Sequence, residues 1–141
     1  TLGELCGMVH GEESAPITIE AFLPVTTGCQ DAIGFWLVQT AETHGSAVRV
    51  RVFDMKSPDG RQRMMGHGIR CAAVVIDGST RFDLPEPVGK VLLEGPMDPL
   101  DVYHAVLHTL RKRTSDATLE LSAPENTNIP SSEQREKAGF K

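Results

Sequence analysis

No apolar run in this 141-residue chain approaches the roughly 20 residues of a transmembrane helix. The first residues, Thr1-Leu2-Gly3-Glu4, lack the basic start and apolar stretch of a secretory signal. A cytoplasmic location and no membrane partner are therefore expected. Basic residues are in deficit, with 14 Lys and Arg against 19 Asp and Glu and a formal net charge of -5. Non-specific nucleic-acid binding needs a positive field, so no nucleic-acid partner is expected. Cysteines are few and odd in number: Cys6, Cys29 and Cys71. They make no disulfide framework, and a single bridge would leave one thiol over. No C-x-x-C occurs, and no paired Cys/His spacing marks a structural zinc site. The five histidines are scattered. No nucleotide or flavin motif is present, so no cofactor is expected. Electrons for any redox step would have to come from another thiol system.

What is present is an ordinary globular composition. Apolar residues make up 40% and charged residues 23%, enough to build a core in a single domain. Leu2, Leu5, Met8 and Val9 have helical spacing, so one short amphipathic helix is expected, stopped by Gly11. Ile17 to Leu23 is β-branched and aromatic, broken by Pro24, and reads as a strand. A turn follows over Val25-Thr26-Thr27-Gly28-Cys29. Asp31 to His44 reads as a helix with Ile33, Trp36 and Leu37 on one face, stopped by Gly45. Val48 to Asp54 alternates apolar and basic residues, a strand signal that leaves Arg49 and Arg51 on the solvent side of an outer strand. Arg61 to Met65 has room for a short helix. Ala72 to Ile76 is a continuous apolar run, as for a central strand. Asp77-Gly78-Ser79-Thr80 is a hairpin turn, with return strands over 81–84 and 90–94. Asp98 caps a long helix that begins at Pro99 and ends in Arg111-Lys112-Arg113, where the helix dipole favours cations. That basic cluster is read as a helix end and not as a nucleic-acid patch. Residues 118–121 read as a small strand or an extended contact. The composition from Ser122 on is that of a flexible tail.

A strand-helix-strand unit takes a right-handed crossover between parallel strands, and the late hairpin adds antiparallel ones. The expected class is α/β, a mixed sheet of about four strands with helices on both faces. This element order resembles the thioredoxin fold. Ile17 to Cys29 lies without a gap on the first strand and active-site turn of that family. Thr26-Thr27-Gly28-Cys29 then falls on the C-x-x-C motif, and Glu20 on the buried acid that thioredoxins carry in the strand. Gly68-Ile69-Arg70-Cys71-Ala72-Ala73 resembles the segment that leads into the cis-proline loop. The resemblance covers residues 16–113. It leaves residues 1–15 as an N-terminal helical extension and 114–141 as a flexible C-terminal tail. Two departures stand out. Thr26 replaces the first, attacking cysteine, and an alanine, Ala72 or Ala73, takes the place of the cis-proline. A non-proline cis bond costs roughly 2.5–4 kcal/mol, so a trans peptide is expected there. T-x-x-C is also the core of the peroxiredoxin motif, but Pro24 stands two positions too close to the cysteine and no companion arginine is assignable.

The resemblance implies that Cys29 and Cys71 meet in space, because the cis-proline loop packs on the active-site turn in that fold. Cys29 stands at the start of a helix, where free N–H groups and the dipole favour a thiolate. The competing reading is a small buried core residue. Cys71, otherwise an inert thiol beside a core strand, would be the resolving partner, closing a bridge if the Cα atoms come within about 7 Å. Thr26 and Gly28 would shape the turn, with Thr26 able to donate a hydrogen bond to the Cys29 sulfur. Glu20 would take a proton from Cys29, or stand as an exposed strand acid. Cys29, Cys71 and His67 together would suit a soft metal, although their spacing is irregular and no metal is expected. Cys6 reads as structural or spare. Met64-Met65 and Trp36 read as packing residues.

Two functions are consistent with these residues. The first is a thiol-redox protein acting on protein or small-molecule disulfides, or on peroxides, through Cys29. The second is a non-catalytic thioredoxin-like module that binds a protein partner, or a second copy of itself, through the same loops.

Overall fold

The alternation in Val48-Arg49-Val50-Arg51-Val52 sets the two faces of the sheet. Val48, Val50 and Val52 are fully buried on one side of β3 (Val48–Asp54), while Phe53 belongs to a separate core on the other. The computed structural model describes residues 1–25, 27–28 and 30–124. β2 (Ile17–Leu23) pairs with β3 in parallel over its whole length, from Ile17↔Val48 to Leu23↔Asp54. The intervening α2 (Asp31–Thr43) is the crossover that parallel pairing demands. β4 (Ala73–Ile76) lies antiparallel on the other side of β2, with Phe22 opposite Ala73. All four residues of β4 are buried, as befits a strand covered on both faces.

The larger core joins α2 and α4 (Pro99–Thr114) to Ile17, Ile19, Ala21 and Leu23 of β2 and the three valines of β3. The smaller core sits under α3 (Pro58–His67) and holds Phe22, Phe53, Met64, Ile69, Ala73 and Val75. Phe22 and Phe53 stack at 5.2 Å because the parallel register sets them side by side. The class is therefore α/β, a four-stranded mixed sheet with helices on both faces.

The sheet reaches four strands by a different route from the expected one. The first fifteen residues do not form a single helix. α1 (Leu2–Leu5) is one turn long, Gly7 turns left-handed at φ 81°, and β1 (Val9–His10) pairs antiparallel with β3. Unpaired edge groups of β3 draw this segment in, and the Gly7 N–H donates to Val52 O at 2.8 Å. Gly11 must be glycine: its φ is 98°, and a Cβ there would stand 2.2 Å from Val48 O. The order is β1-β3-β2-β4. β3 is thus an interior strand, which corrects the solvent-side reading of Arg49 and Arg51. Both are half-buried, and Arg51 spreads over the Phe53 ring and donates to Gly7 O at 3.3 Å.

The late hairpin forms its own two-stranded sheet from β5 (Arg81–Asp83) and β6 (Lys90–Leu92). Asp77 and Gly78 both adopt positive φ, 51° and 85°, and turn the chain sharply after Ile76. The hairpin is stitched to β4 by the bridges Ala73↔Glu94 and Ile76↔Ser79. The described chain beyond α4 is not loose. Arg111 Nε donates to Leu119 O at 2.8 Å, Trp36 Nε1 to Ser122 O at 2.8 Å, and Leu121 is buried. Residues 125–141 lie outside the described residues. No described helix is long and apolar enough to cross a membrane.

Candidate functional site

Parallel pairing makes β2 and β3 end together, at Leu23 and Asp54. Antiparallel pairing makes β4 begin at that same end, beside Phe22. The turn that leaves β2 and the segment that enters β4 are therefore neighbours at one rim of the sheet. Crevices outside the carboxyl ends of parallel strands are a common place for ligand sites.

Of the predicted turn residues, Thr26 and Cys29 lie outside the described residues. Their neighbours are described. Thr27 Oγ1 donates to Pro24 O at 2.9 Å, and Gly28 turns left-handed at φ 77°. Gln30 comes next among the described residues at φ 67°, a left-handed conformation that a residue with a long side chain rarely adopts. Gln30 stands at the N-cap of α2 and its side chain makes no capping hydrogen bond. The first amides and positive dipole end of α2 face the turn without that acceptor.

On the β4 side, α3 ends at Gly68, which turns left-handed at φ 72°. Ile69 is buried in the smaller core and anchors the chain on its way into β4. Cys71 is an exposed free thiol, and Ala72 and Ala73 behind it are buried. The cis peptide among the described residues is Glu86–Pro87, so the bonds through Ala72 and Ala73 are trans, as their residue types require. Cys71 thus stands as an exposed thiol at the entrance to a buried strand.

Glu20 does not face α2. It shares the α3 side of β2 with Phe22, and its partners are there. His67 Nε2 lies 2.7 Å from Glu20 Oε1, and Arg63 donates from Nε at 3.1 Å and also from Nη2 to Oε2. Burial by itself would raise the Glu20 pKa, but the hydrogen bonds and charges of Arg63 and His67 outweigh it and hold the carboxyl below its ordinary range. Glu20 is the anchor of α3 and not a free base. The same geometry commits His67, the third member of the soft-metal set. No group of three His, Cys, Asp or Glu among the described residues has metal-binding geometry.

Cys6 is the residue whose position sequence reasoning missed. It stands just past α1, half-buried against the larger core, with its Sγ donating to Leu2 O at 3.6 Å. It lines a cavity of about 650 Å³ together with Val25, Asp31, Phe53 and Asp54. Val25 and Asp31 are the two ends of the turn that contains Cys29. Burial raises the Cys6 pKa, and the charges of Asp54 and Asp31 add to it, against a backbone hydrogen bond from Asp54. Nothing local in the sequence announces this. It arises from α1 and β1 folding back on β3.

No family model, no curated protein and no solved structure matches the chain.

Proposed function

We propose that this chain is an atypical thioredoxin-like thiol-redox protein that acts on disulfides or peroxides through Cys29, with Cys71 as a resolving thiol. The observation that carries the reading is the meeting of two chain segments. The turn after β2 and the segment 69–72 before β4 share one rim of the sheet, as the resemblance requires for the motif turn and the cis-proline loop. The start of α2, where Gln30 offers no side-chain cap, supports a low-pKa thiolate at the position just before Gln30. The left-handed Gln30 supplies the kind of backbone strain that gathers at functional turns. Thr26 and Gly28 shape the turn.

The chemistry balances with one external partner. A substrate disulfide is attacked by the Cys29 thiolate, one substrate sulfur leaves as thiolate, and Cys71 then displaces the other. The substrate is reduced and Cys29–Cys71 is oxidised. An external thiol returns the pair to the reduced state.

The test is a thiol count on the purified protein before and after mild peroxide, with mass spectrometry locating any bridge. A Cys29–Cys71 disulfide that is reversed by a thiol reductant is expected. Three unreactive thiols would overturn the reading. The commitment of Glu20 to Arg63 and His67 leaves no free acid there to accept a proton from Cys29, and this favours the second reading, a partner-binding module of the same fold.

A further inference from the structure

The three basic residues that close α4 do not share one task. Arg111 donates to Leu119 O at 2.8 Å and pairs with Glu120 at 3.2 Å. Arg113 pairs with Asp77 at 2.6 Å and donates to Pro16 O at 2.9 Å. Lys112 makes no ion pair among the described residues, and it lines a cavity of about 430 Å³ between α4 and the β5–β6 hairpin. Arg81 lines the same cavity from the hairpin side and is likewise without an ion pair there. We propose that this cavity binds an organic phosphate, with the phosphoryl group held by Arg81 and Lys112 and the apolar body resting on Phe82 and Leu84.

Charge selects the head group. Two carboxylates also line the cavity, Asp77 and Asp83. Asp77 is taken by Arg113 and by the Thr18 N–H at 3.0 Å, and Asp83 pairs with Lys90 at 3.4 Å. Two cations are left without a counter-ion, in a chain whose formal net charge is -5. A phosphomonoester carries a charge of about -1.5 to -2 near pH 7 and matches that pair, whereas a carboxylate would leave one cation over. The guanidinium fork and the compact ammonium both suit phosphate oxygens. His108, one turn before Lys112, adds an N–H donor to the same wall in either charge state.

The floor selects the body. Leu84 and Ile76 line the cavity and belong to the larger core, and Phe82 packs against it. Arg81 and Lys112 stand exposed at the margin. A fixed apolar base with a few convergent polar groups, in a volume between about 300 and 1,000 Å³, is the usual form of a small-molecule site. The helix dipole alone would account for Lys112 but not for Arg81, which comes from another element. The cavity owes nothing to the thiol rim, since it lies at the Ile76 end of β4 and Cys71 precedes the other end.

The experiment titrates the full chain with phenyl phosphate by isothermal calorimetry at pH 7.5, with inorganic phosphate and benzoate as separate ligands. Saturable binding of phenyl phosphate is expected, tighter than that of either comparison ligand and weaker as salt is raised. Lys112→Ala and Arg81→Ala should each weaken it about tenfold, the loss of one charged contact. Asp83→Asn, which removes an acid from the cavity, should tighten it. Arg61→Ala, at an exposed cation on α3 across the sheet, should leave it unchanged. Absence of saturable binding, or an equal loss in Arg61→Ala, would overturn the site. Inorganic phosphate binding as tightly would overturn the role of the apolar floor, and benzoate binding as tightly would overturn the choice of phosphate. Thermal melts of each variant guard the fold: a Lys112→Ala chain that melts lower yet binds unchanged would show a helix-dipole role only and overturn the proposal.

Discussion

Replacing Glu20 with glutamine should loosen α3 from the sheet without disturbing the larger core. The Glu20 side chain is 12% exposed, and it holds Arg63 and His67, which are 44% and 31% exposed. A hydrogen bond to a charged group contributes about 1.5–3 kcal/mol when buried. An exposed ion pair contributes about 0–1 kcal/mol. The half-open partners put this cluster between those limits, so Glu20→Gln should cost about 1–2 kcal/mol, with the amide oxygen still accepting one bond. Urea unfolding at pH 7 would read this as a midpoint lowered by about 0.5–1 M with an unchanged slope, for a slope of about 2 kcal/mol per M. The pH dependence has a definite sign. The native carboxyl titrates below its ordinary value of 4.5, so the unfolded chain binds the proton first as pH falls. The stabilisation is complete above 4.5 and is lost as pH drops through the lower native range. The gap between wild type and Glu20→Gln should therefore be full at pH 7 and narrow progressively as pH falls below 4.5. A glutamine variant with the wild-type midpoint at pH 7, or a gap that does not narrow as pH falls below 4.5, would refute the assignment of Glu20 as the α3 anchor.

The packing makes four further outcomes testable. Gly60 lies where a Cβ would stand 2.2 Å from Asp54 O; Gly60→Ala should cost about 1–3 kcal/mol in urea unfolding, and a neutral result would mean the start of α3 sits farther from β3. Asp98 Oδ1 accepts from Leu100 N at 2.9 Å; Asp98→Ala should cost about 0.5–2 kcal/mol, and Asp98→Asn should restore most of the loss in thermal melts. Removing residues 119–141 strips Ser122 O from the only tryptophan, Trp36; its emission should shift to the red, and an unchanged spectrum would contradict the packing of 119–122. Iodoacetamide at pH 8 should label exposed Cys71 before Cys6, whose thiol burial pushes up; the reverse order, read by peptide mass, would show that Cys6 is open to solvent.

Much of the fold was legible along the chain, and for local reasons. Ile17–Leu23 and Val48–Asp54 match the strands expected from β-branched runs and alternation. Asp98-Pro99 marks the start of α4 because a capping carboxylate and a proline at the first helical position suit that geometry and little else. α3 runs from Pro58, three residues before its expected start, because Ser57 accepts from Gly60 N and caps it. The candidate site was legible only in part. The rim shared by the β2 turn and Cys71 arises from a topology that element order suggested. The Glu20–Arg63–His67 cluster spans 43 and 47 positions in sequence, and no spacing rule connects residues that far apart.

The sequence by itself determined β2, β3, α2 and α4, because period and capping act over a few residues. It also determined that the chain carries thiols and no cofactor motif. Only the tertiary structure decided what those segments surround. The free edge of β3 turned the first residues into a strand and carried Cys6 to the rim of the β2 turn. The α3 side of the sheet claimed Glu20 for Arg63 and His67. Both outcomes arise because backbone edges and buried charges must find partners, and those partners lie far away in sequence.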